Sequence, residues 1–179
     1  RVGKQIAFEW GKAKVMYGNN CIAHIDDLNG VMKGVNALLT DDGVFVVECN
    51  YWGGMVKNKN YALVYHDHFS YFSLKNWADI ANKYGMQVFD AFVTPAQGGS
   101  LRVFMGKGAI TMTKRCLELI TEEVATKLNT QEVATKYGID CIAEAAKLFE
   151  TISNIKKEGK VIAGYGAARF VAECWREPD

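Results

Sequence analysis

The most unusual stretch of the chain is Tyr65-His66-Asp67-His68, which places two imidazoles, a carboxylate and a phenol in four consecutive residues. The chain has three histidines, and the third, His24, lies far upstream. A histidine beside a tyrosine and an aspartate can have a pKa near neutrality and can take a proton from carbon or oxygen. One interpretation of this stretch is therefore general acid–base chemistry.

Two other interpretations stay open from the residues alone. The side chains can be hydrogen-bonded, half-buried anchors that hold a loop against a sheet. His66 and His68 can also face one metal ion in an extended segment, with His24 as a third ligand. Further carboxylates at useful spacing are not evident, so we predict no metal site.

The elements that must position these residues begin as a strand, a helix and a strand. Residues 14–17 form a short, mostly apolar run, and apolar residues then recur at helical spacing from Asp26 or Asp27 to Leu39. Residues 40–43 are typical of a turn. Residues 44–49 are rich in β-branched side chains without alternation, as in a buried strand. This order predicts a βαβ unit of a parallel sheet.

The rest of the chain is predicted to add a hairpin and helices. Ser73 is placed to cap a helix that stops at Gly85. The remaining predicted elements are strands at 86–94 and 100–105 joined by residues 95–99, helices at 114–128 and 133–157, and a strand at 161–167 that opens a second α/β domain. Gly164-Tyr165-Gly166 resembles a dinucleotide-binding turn only weakly, because Arg169 stands where a third glycine is needed.

Composition excludes several classes of protein. The chain has 179 residues, 49% of them hydrophobic, and a net charge of +1, which argues against disorder and against binding to a nucleic-acid backbone. Its apolar runs are too short to span a bilayer. Its five cysteines are scattered without a Cys-x-x-Cys pair, which favours reduced thiols in a cytoplasmic protein. The first residue is not Met, and we expect a piece of a longer protein.

Several motifs in order carry a resemblance to a known family. They are residues 19–28, 42–46, the stretch 65–72 (Tyr-His-Asp-His-Phe-Ser-Tyr-Phe) and residues 98–103 (Gly-Gly-Ser-Leu-Arg-Val). Together they resemble the S-adenosylmethionine-dependent C-methyltransferases that act on nucleotide-linked keto-deoxysugars. The resemblance runs from about residue 14 to residue 167. The block 65–68 and its position are its most specific part.

The resemblance implies an α/β fold: the C-terminal half of a Rossmann-like methyltransferase sheet with a terminal hairpin. It divides the chain into a partial methyltransferase domain, residues 1–110, and residues 111–179, which hold connecting helices and the truncated start of a C-terminal α/β substrate-binding domain. The zinc-binding domain of such enzymes, and hence zinc, belongs to an N-terminal part that this sequence lacks. The glycine-rich loop that grips S-adenosylmethionine is also absent, so we expect a half-built cofactor site.

The resemblance also assigns roles to residues. His68 resembles the base that removes a proton next to the ketone, Tyr65 and Asp67 resemble the groups that flank it, and His24 resembles a partner of the enolate. The expected cofactor wall consists of Asn20, Ala23 and His24. The expected contacts to the nucleotide sugar are Tyr71, Gln97, Gly98 and Arg102. Asp67 stands where the family usually has Glu, and Gln97 where it commonly has His.

Two alternatives to this enzyme remain. One is a catalytically inactive fragment or scaffold whose aromatic loop is only structural. The other is a methyltransferase that acts on oxygen or nitrogen of another small molecule. A carbon acceptor needs a strong, positioned base, so proton exchange at carbon separates the two kinds of methyltransferase.

Overall fold

Four strands form a single sheet in the computed structural model, which describes residues 2–163. They are β1 (Ala13–Asn19), β2 (Leu39–Asn50), β3 (Met86–Thr94) and β4 (Ser100–Lys107), in the order β1-β2-β4-β3. β1 is parallel to β2, whereas β4 is antiparallel to both β2 and β3. β1, β2 and β3 therefore run in one direction, and the mixed α/β fold class is confirmed.

Six α-helices accompany the sheet within residues 2–163, and the caps of two of them follow from sequence. The helices are α1 (Val2–Trp10), α2 (Leu28–Leu38), α3 (Trp52–Asn58), α4 (Leu74–Lys83), α5 (Lys114–Ala125) and α6 (Gln131–Lys157). Asp27 caps α2 by accepting a 2.8 Å hydrogen bond from the backbone N–H of Gly30. Ser73 and Asn76 cap α4 reciprocally. The predicted cap at Ser73 is confirmed, and of the two candidates Asp27 is the one used at α2.

The hydrophobic core lies between one face of the sheet and helices α2 and α4. Residues 45, 47 and 49 of β2 and residues 101, 103 and 105 of β4 point into it, and all are at most 3% exposed. Trp77 from α4 and Met32 from α2 cover them and are fully buried. Because side chains alternate along a strand, Glu48, Asn50 and Arg102 lie on the opposite face.

Some local predictions were wrong. Residues 40–43 belong to β2 rather than to a separate turn, although they bulge from the β1 pairing, which passes from Leu39 to Val44. Helices α1 and α3 were not predicted, because α1 has no buried residue and α3 contains two glycines. Residues 161–163 form no strand, and the rest of the strand predicted at 161–167, including Gly164-Tyr165-Gly166, lies outside the described residues.

The two C-terminal helices pack against the rest of the molecule. Helix α5 contacts α4 and β3, and α6 contacts α3. Their existence was predicted correctly, with boundaries within a few residues of 114–128 and 133–157. Across residues 2–163 there is no helix with the length and apolar character needed to cross a membrane.

Candidate active site

The carboxyl ends of the three parallel strands form the edge at which the reactive side chains gather. β1 ends at Asn19, β2 at Asn50 and β3 at Thr94. The segments after β1 and β2 carry His24 and His68, respectively. In open α/β sheets, ligands bind in the crevice outside the carboxyl ends of the strands. We therefore take this edge as the candidate site.

Two hydrogen bonds fasten the segment after β2 to the loop after β1. The Nδ1 atom of His24 lies 2.9 Å from the carbonyl oxygen of Asp67, and the backbone N–H of Phe69 donates to the carbonyl of Ala23 at 2.8 Å. Because a carbonyl only accepts, Nδ1 of His24 carries a hydrogen. The ring centroids of His24 and His68 are consequently only 4.7 Å apart.

Both ring nitrogens of His68 have a hydrogen-bond partner. Nδ1 lies 2.9 Å from the carbonyl oxygen of Leu63, and Nε2 lies 2.8 Å from the hydroxyl of Tyr65. The neutral ring therefore carries its hydrogen on Nδ1 and offers the lone pair of Nε2 to the Tyr65 hydroxyl. The basic nitrogen of His68 is thus fixed in position and faces a proton donor.

The environment of His68 favours its neutral form. Burial is the largest cause, and it lowers the pKa of His68 below the ordinary histidine value. The hydrogen bond to the Leu63 carbonyl raises the pKa to a lesser degree, His24 lowers it further, and the carboxylate of Asp67 raises it. A lowered pKa leaves His68 able to accept a proton at neutral pH.

Asp67 contributes to the site in two ways. Its carbonyl orients His24, and its carboxylate oxygen Oδ1 lies 2.9 Å from Nε2 of His66. The His66 side chain is 71% exposed, so this pair faces solvent. Within residues 2–163, no group of three His, Cys, Asp or Glu side chains is arranged to hold a metal ion.

Asn20 and Ala23 belong to the same loop after β1 as His24. Asn20 has a φ of 48°, a left-handed conformation that costs energy in residues other than glycine and recurs at functional sites. Its side-chain oxygen is buried and accepts no hydrogen bond from any residue in the described range 2–163. Ala23 is buried. A buried acceptor of this kind is suited to a hydrogen-bond donor of a ligand.

Tyr71, one of the residues predicted to contact substrate, lies beside the histidine. Its ring meets that of His68 edge-on, with centroids 5.9 Å apart. Its hydroxyl lies 3.5 Å from the Leu63 carbonyl oxygen. Burial raises the pKa of Tyr71, so the phenol stays protonated at neutral pH.

Gln97 and Gly98 lie in the tight connection between β3 and β4. Both have left-handed backbones, with φ values of 49° and 78°. A Cβ atom at Gly98 would stand 2.9 Å from the amide nitrogen of Asn60. The connection therefore rests against the start of the segment that carries Tyr65 and His68.

Arg102, the last predicted substrate contact, lies two residues inside β4. Its guanidinium donates from Nε to Oε2 of Glu48 at 2.6 Å and stands over the Phe92 ring, 5.6 Å from the centroid. Glu48 is only 4% exposed. The guanidinium thus neutralises a buried carboxylate while its own side chain stays partly open to solvent.

Comparison with known proteins identifies the family. A sequence-family model described as "Methyltransferase domain" matches residues 3–91, and one described as "C-methyltransferase C-terminal domain" matches residues 95–171. The C-methyltransferase NovU of Streptomyces niveus is 34% identical over 168 residues, which cover 93% of this chain. The chain belongs to the C-methyltransferase family. It spans 40% of the length of NovU.

Solved methyltransferase structures resemble this chain weakly. The O-methyltransferase NcsB1 from neocarzinostatin biosynthesis, in complex with S-adenosylmethionine and 2-hydroxy-5-methyl naphthoic acid, is 21% identical, with a TM-score of 0.41 over 54% of this chain and 29% of that one. Magnesium protoporphyrin IX methyltransferase (ChlM) from Synechocystis PCC 6803, with bound SAH, is 10% identical, with a TM-score of 0.43 over 57% and 48%. These likenesses are too weak to assign a ligand.

Sequence reasoning missed two polar residues at the edge of the sheet that holds the candidate site. The amide nitrogen of Asn50 and the hydroxyl of Thr94 are buried and find no hydrogen-bond partner among residues 2–163. Both residues lie opposite Ser100 in the strand register, so the three side chains form a row. The sequence pattern that could have identified them is a polar residue at the very end of each apolar strand.

Proposed function

We propose that this chain carries the acid–base residues of an S-adenosylmethionine-dependent C-methyltransferase that acts on a nucleotide-linked keto-deoxysugar. The observation that carries the proposal is the hydrogen-bonded series from the Leu63 carbonyl through His68 to the Tyr65 hydroxyl. It provides an oriented, neutral imidazole at the ligand-binding edge of the sheet. The 34% identity to the C-methyltransferase NovU supports a carbon acceptor.

The proposed reaction begins with removal of a proton by His68. The substrate displaces the Tyr65 hydroxyl from Nε2, and this nitrogen then takes the proton from the carbon beside the ketone. The electron pair of the broken C–H bond moves into the enolate, whose oxygen needs hydrogen-bond donors. The released Tyr65 hydroxyl is one such donor.

His24 is the proposed second donor to the enolate oxygen. Its Nδ1 hydrogen is already used on the Asp67 carbonyl, so donation from Nε2 requires the doubly protonated ring. His24 and His68 would then act as a pair, in which one ring donates to the enolate oxygen and the other accepts the proton. Their ring separation of 4.7 Å allows both to reach neighbouring atoms of one small substrate.

S-adenosylmethionine supplies an electrophilic methyl group on a sulfonium sulfur. Asn20 and Ala23 are the residues that we propose to hold it, because the buried oxygen of Asn20 lacks a described partner and suits an ammonium or hydroxyl donor. Asn20 and Ala23 lie in the same loop as His24, so the proposed cofactor site is next to this imidazole. In-line attack by the substrate carbon demands such close positioning.

The proposed contacts to the nucleotide sugar are Tyr71, Gln97, Gly98 and Arg102. Tyr71 is beside His68, and the connection containing Gln97 and Gly98 abuts the same segment. Arg102 is paired with Glu48, but its side chain is partly open, so its remaining N–H groups are the proposed donors to the diphosphate. A cytoplasmic location, and a domain boundary near residue 110, are parts of the same proposal.

The proposal is tested by proton exchange at the substrate carbon. In D2O, a nucleoside diphosphate-linked keto-deoxysugar should exchange hydrogen beside its ketone in the presence of the protein, and His68→Ala should slow this exchange by about 100-fold or more. Tyr65→Phe frees Nε2 and should cost only about tenfold, the worth of one hydrogen bond. His66→Ala is the matched control, since its ring faces solvent.

The proposal would be wrong if the substrate exchanged as fast with His68→Ala as with the wild type while circular dichroism showed an intact fold. Transfer of methyl to oxygen or nitrogen without any exchange at carbon would favour the other kind of methyltransferase. No exchange by the folded wild-type chain would fit an inactive fragment or scaffold.

Cofactor binding is tested separately by calorimetric titration with S-adenosylmethionine. We expect saturable binding that Asn20→Ala weakens, because the variant removes the buried acceptor. Absence of heat with a folded wild-type chain would show that these residues do not suffice to bind the methyl donor.

A further inference from the structure

The segment that carries Tyr65 and His68 belongs to no strand, so tertiary contacts must fix its shape. Between α3 and the Tyr51–Phe72 bridge it contains only a single 3-10 turn, Tyr61–Leu63. Its front faces His24. Its back lies against helix α6, which the sequence had marked only as a connecting element.

Tyr137 is the central residue of this contact. It is 7% exposed, and its hydroxyl donates a 2.9 Å hydrogen bond to the carbonyl of Asn60. With Met55 and Cys141 it forms a small apolar cluster, against which Leu63 and Tyr71 pack. The hydrogen bond and the cluster together fasten the 3-10 turn to α6.

The 3-10 turn ends at Leu63, whose side chain and main-chain carbonyl make different contacts. Its side chain packs against the cluster around Tyr137, and its carbonyl accepts the Nδ1 hydrogen of His68 at 2.9 Å. The position of this carbonyl decides which nitrogen of His68 keeps the hydrogen. Contact with α6 is therefore transmitted to the catalytic ring through one residue.

A second set of contacts joins the same two places through aromatic rings. Trp52 meets Tyr137 edge-on at 5.0 Å between centroids and lies 6.5 Å from Tyr71, which in turn meets His68 at 5.9 Å. The Trp52 indole nitrogen also donates to the Leu128 carbonyl, just before α6. The rings leave little freedom for the back of the segment to shift.

We propose that Tyr137 is a positioning residue for His68, which holds the Leu63 carbonyl in place and thereby keeps the imidazole as the Nδ1–H tautomer with a bare Nε2. The catalytic meaning of this role rests on the proposed function. The role itself is a property of the folded chain and can be measured without substrate.

The charged and titratable groups around His68 belong to the loop after β1, to the segment that carries His68 and to an ion pair with α6. His24 approaches from the loop after β1, and Tyr65, Asp67 and Tyr71 approach from its own segment. Lys59, at the start of the segment, forms an ion pair with Glu144 of α6 at 2.9 Å. Tyr137→Phe changes none of these groups and removes only the hydroxyl, which donates to the Asn60 carbonyl and also interacts with the Cys141 thiol.

The test is long-range 1H–15N NMR of the three histidines in the full chain, which distinguishes protonated from bare ring nitrogens. In the wild type we expect Nδ1 of His68 to carry the hydrogen. In Tyr137→Phe we expect a mixed tautomer and a further fall of the His68 pKa, since the hydrogen bond to the Leu63 carbonyl, which raises this pKa, is weakened. Tyr84→Phe, which loses a surface hydrogen bond to Asn29, is the matched control.

An unchanged tautomer and an unchanged titration of His68 in Tyr137→Phe would overturn the proposal. Equal shifts of His24, His66 and His68 would also overturn it, because they would show general loosening. Tyr137→Leu should enlarge the effect if it folds, but Tyr137→Phe alone decides. A shifted His68 in a chain without proton-exchange activity would uphold the positioning role and count against the proposed function.

Discussion

At the scale of single residues, the proposed proton-accepting atom of the site is Nε2 of His68. Its properties come largely from groups without reactive side chains. The carbonyl of Leu63 fixes the tautomer, and burial lowers the pKa. The Tyr65 hydroxyl donates to Nε2 of His68 and thereby fixes the direction of the lone pair on this nitrogen.

This arrangement predicts the pH dependence of proton exchange. Because the proposed base is the neutral form of His68 and its pKa lies below the ordinary 6.5, the fall of the exchange rate on acidification should have its midpoint below pH 6.5. The same shift means that protonation of His68 opposes folding, so its contribution to stability is complete above pH 6.5 and is lost as pH falls through the lowered pKa.

Initial exchange rates from pH 5 to 8 check the prediction. A midpoint of the acidic fall above pH 6.5, in a chain that stays folded throughout, would contradict it. The His66→Ala variant should give the same profile, since its imidazole lies on the solvent side.

The residues of the site were recognisable from sequence because their types are rare and clustered. Tyr65 and His68 are three residues apart, so a local hydrogen bond between them was plausible. The roles of Leu63 and Tyr137 were not recognisable, because one acts through its main chain and the other lies 77 residues from its partner Asn60. A main-chain carbonyl has no signature in a sequence.

At the scale of elements, helix α4 is stabilised at its start by a residue from another helix. Glu123 of α5 is 3% exposed, and its carboxylate accepts hydrogen bonds from the backbone N–H groups of Leu74 and Lys75 at 2.8 and 2.7 Å. The first N–H groups of a helix have no partner within it, and a negative charge there is favourable. Glu123 thus joins α5 to α4 at the end of the segment that carries Tyr65 and His68.

Removal of this carboxylate should be costly. Glu123→Ala leaves two buried N–H groups without an acceptor and should lower the free energy of unfolding by about 3 kcal/mol. Glu123→Gln keeps one acceptor and should cost roughly half of that. Urea denaturation measures both, with Glu122→Ala on the exposed side of the same helix as the control. A loss for Glu123→Ala no larger than that control would contradict the assignment.

Element boundaries show where sequence patterns suffice and where they fail. Caps such as Ser73 are local, so the start of α4 was predicted correctly. The bulge at residues 40–43 was taken for a turn because Asp-Asp-Gly favours both, and only pairing with β1 decides between them. The glycines of α3 concealed a helix that the cluster with α6 holds in place.

At the scale of the whole molecule, β4 is hydrogen-bonded on both sides, to β2 and to β3. Its residues 101, 103 and 105 are fully buried. The segment from residue 59 to 71 belongs to no strand. Stability should therefore differ strongly between the centre of the sheet and the site.

Hydrogen exchange should reveal this difference. We expect the backbone amides of β4 and of residues 44–49 to exchange most slowly, and those of residues 61–68 to exchange by local opening at least about 100-fold faster. Mass spectrometry of peptides from the exchanged chain measures both. Equal protection of the two regions would contradict the expected gradient.

The hydrogen bond between His24 and Asp67 has a consequence for the time course of folding. It joins residues 43 positions apart, and the Tyr137 contact spans a greater distance along the chain. Contacts of such long range form after the local helices and the β3–β4 hairpin, because closing a long loop costs entropy that only later packing offsets. The local helices and the β3–β4 hairpin should therefore form while the two histidines are still apart, and the proposed ability to remove a proton should return late on refolding.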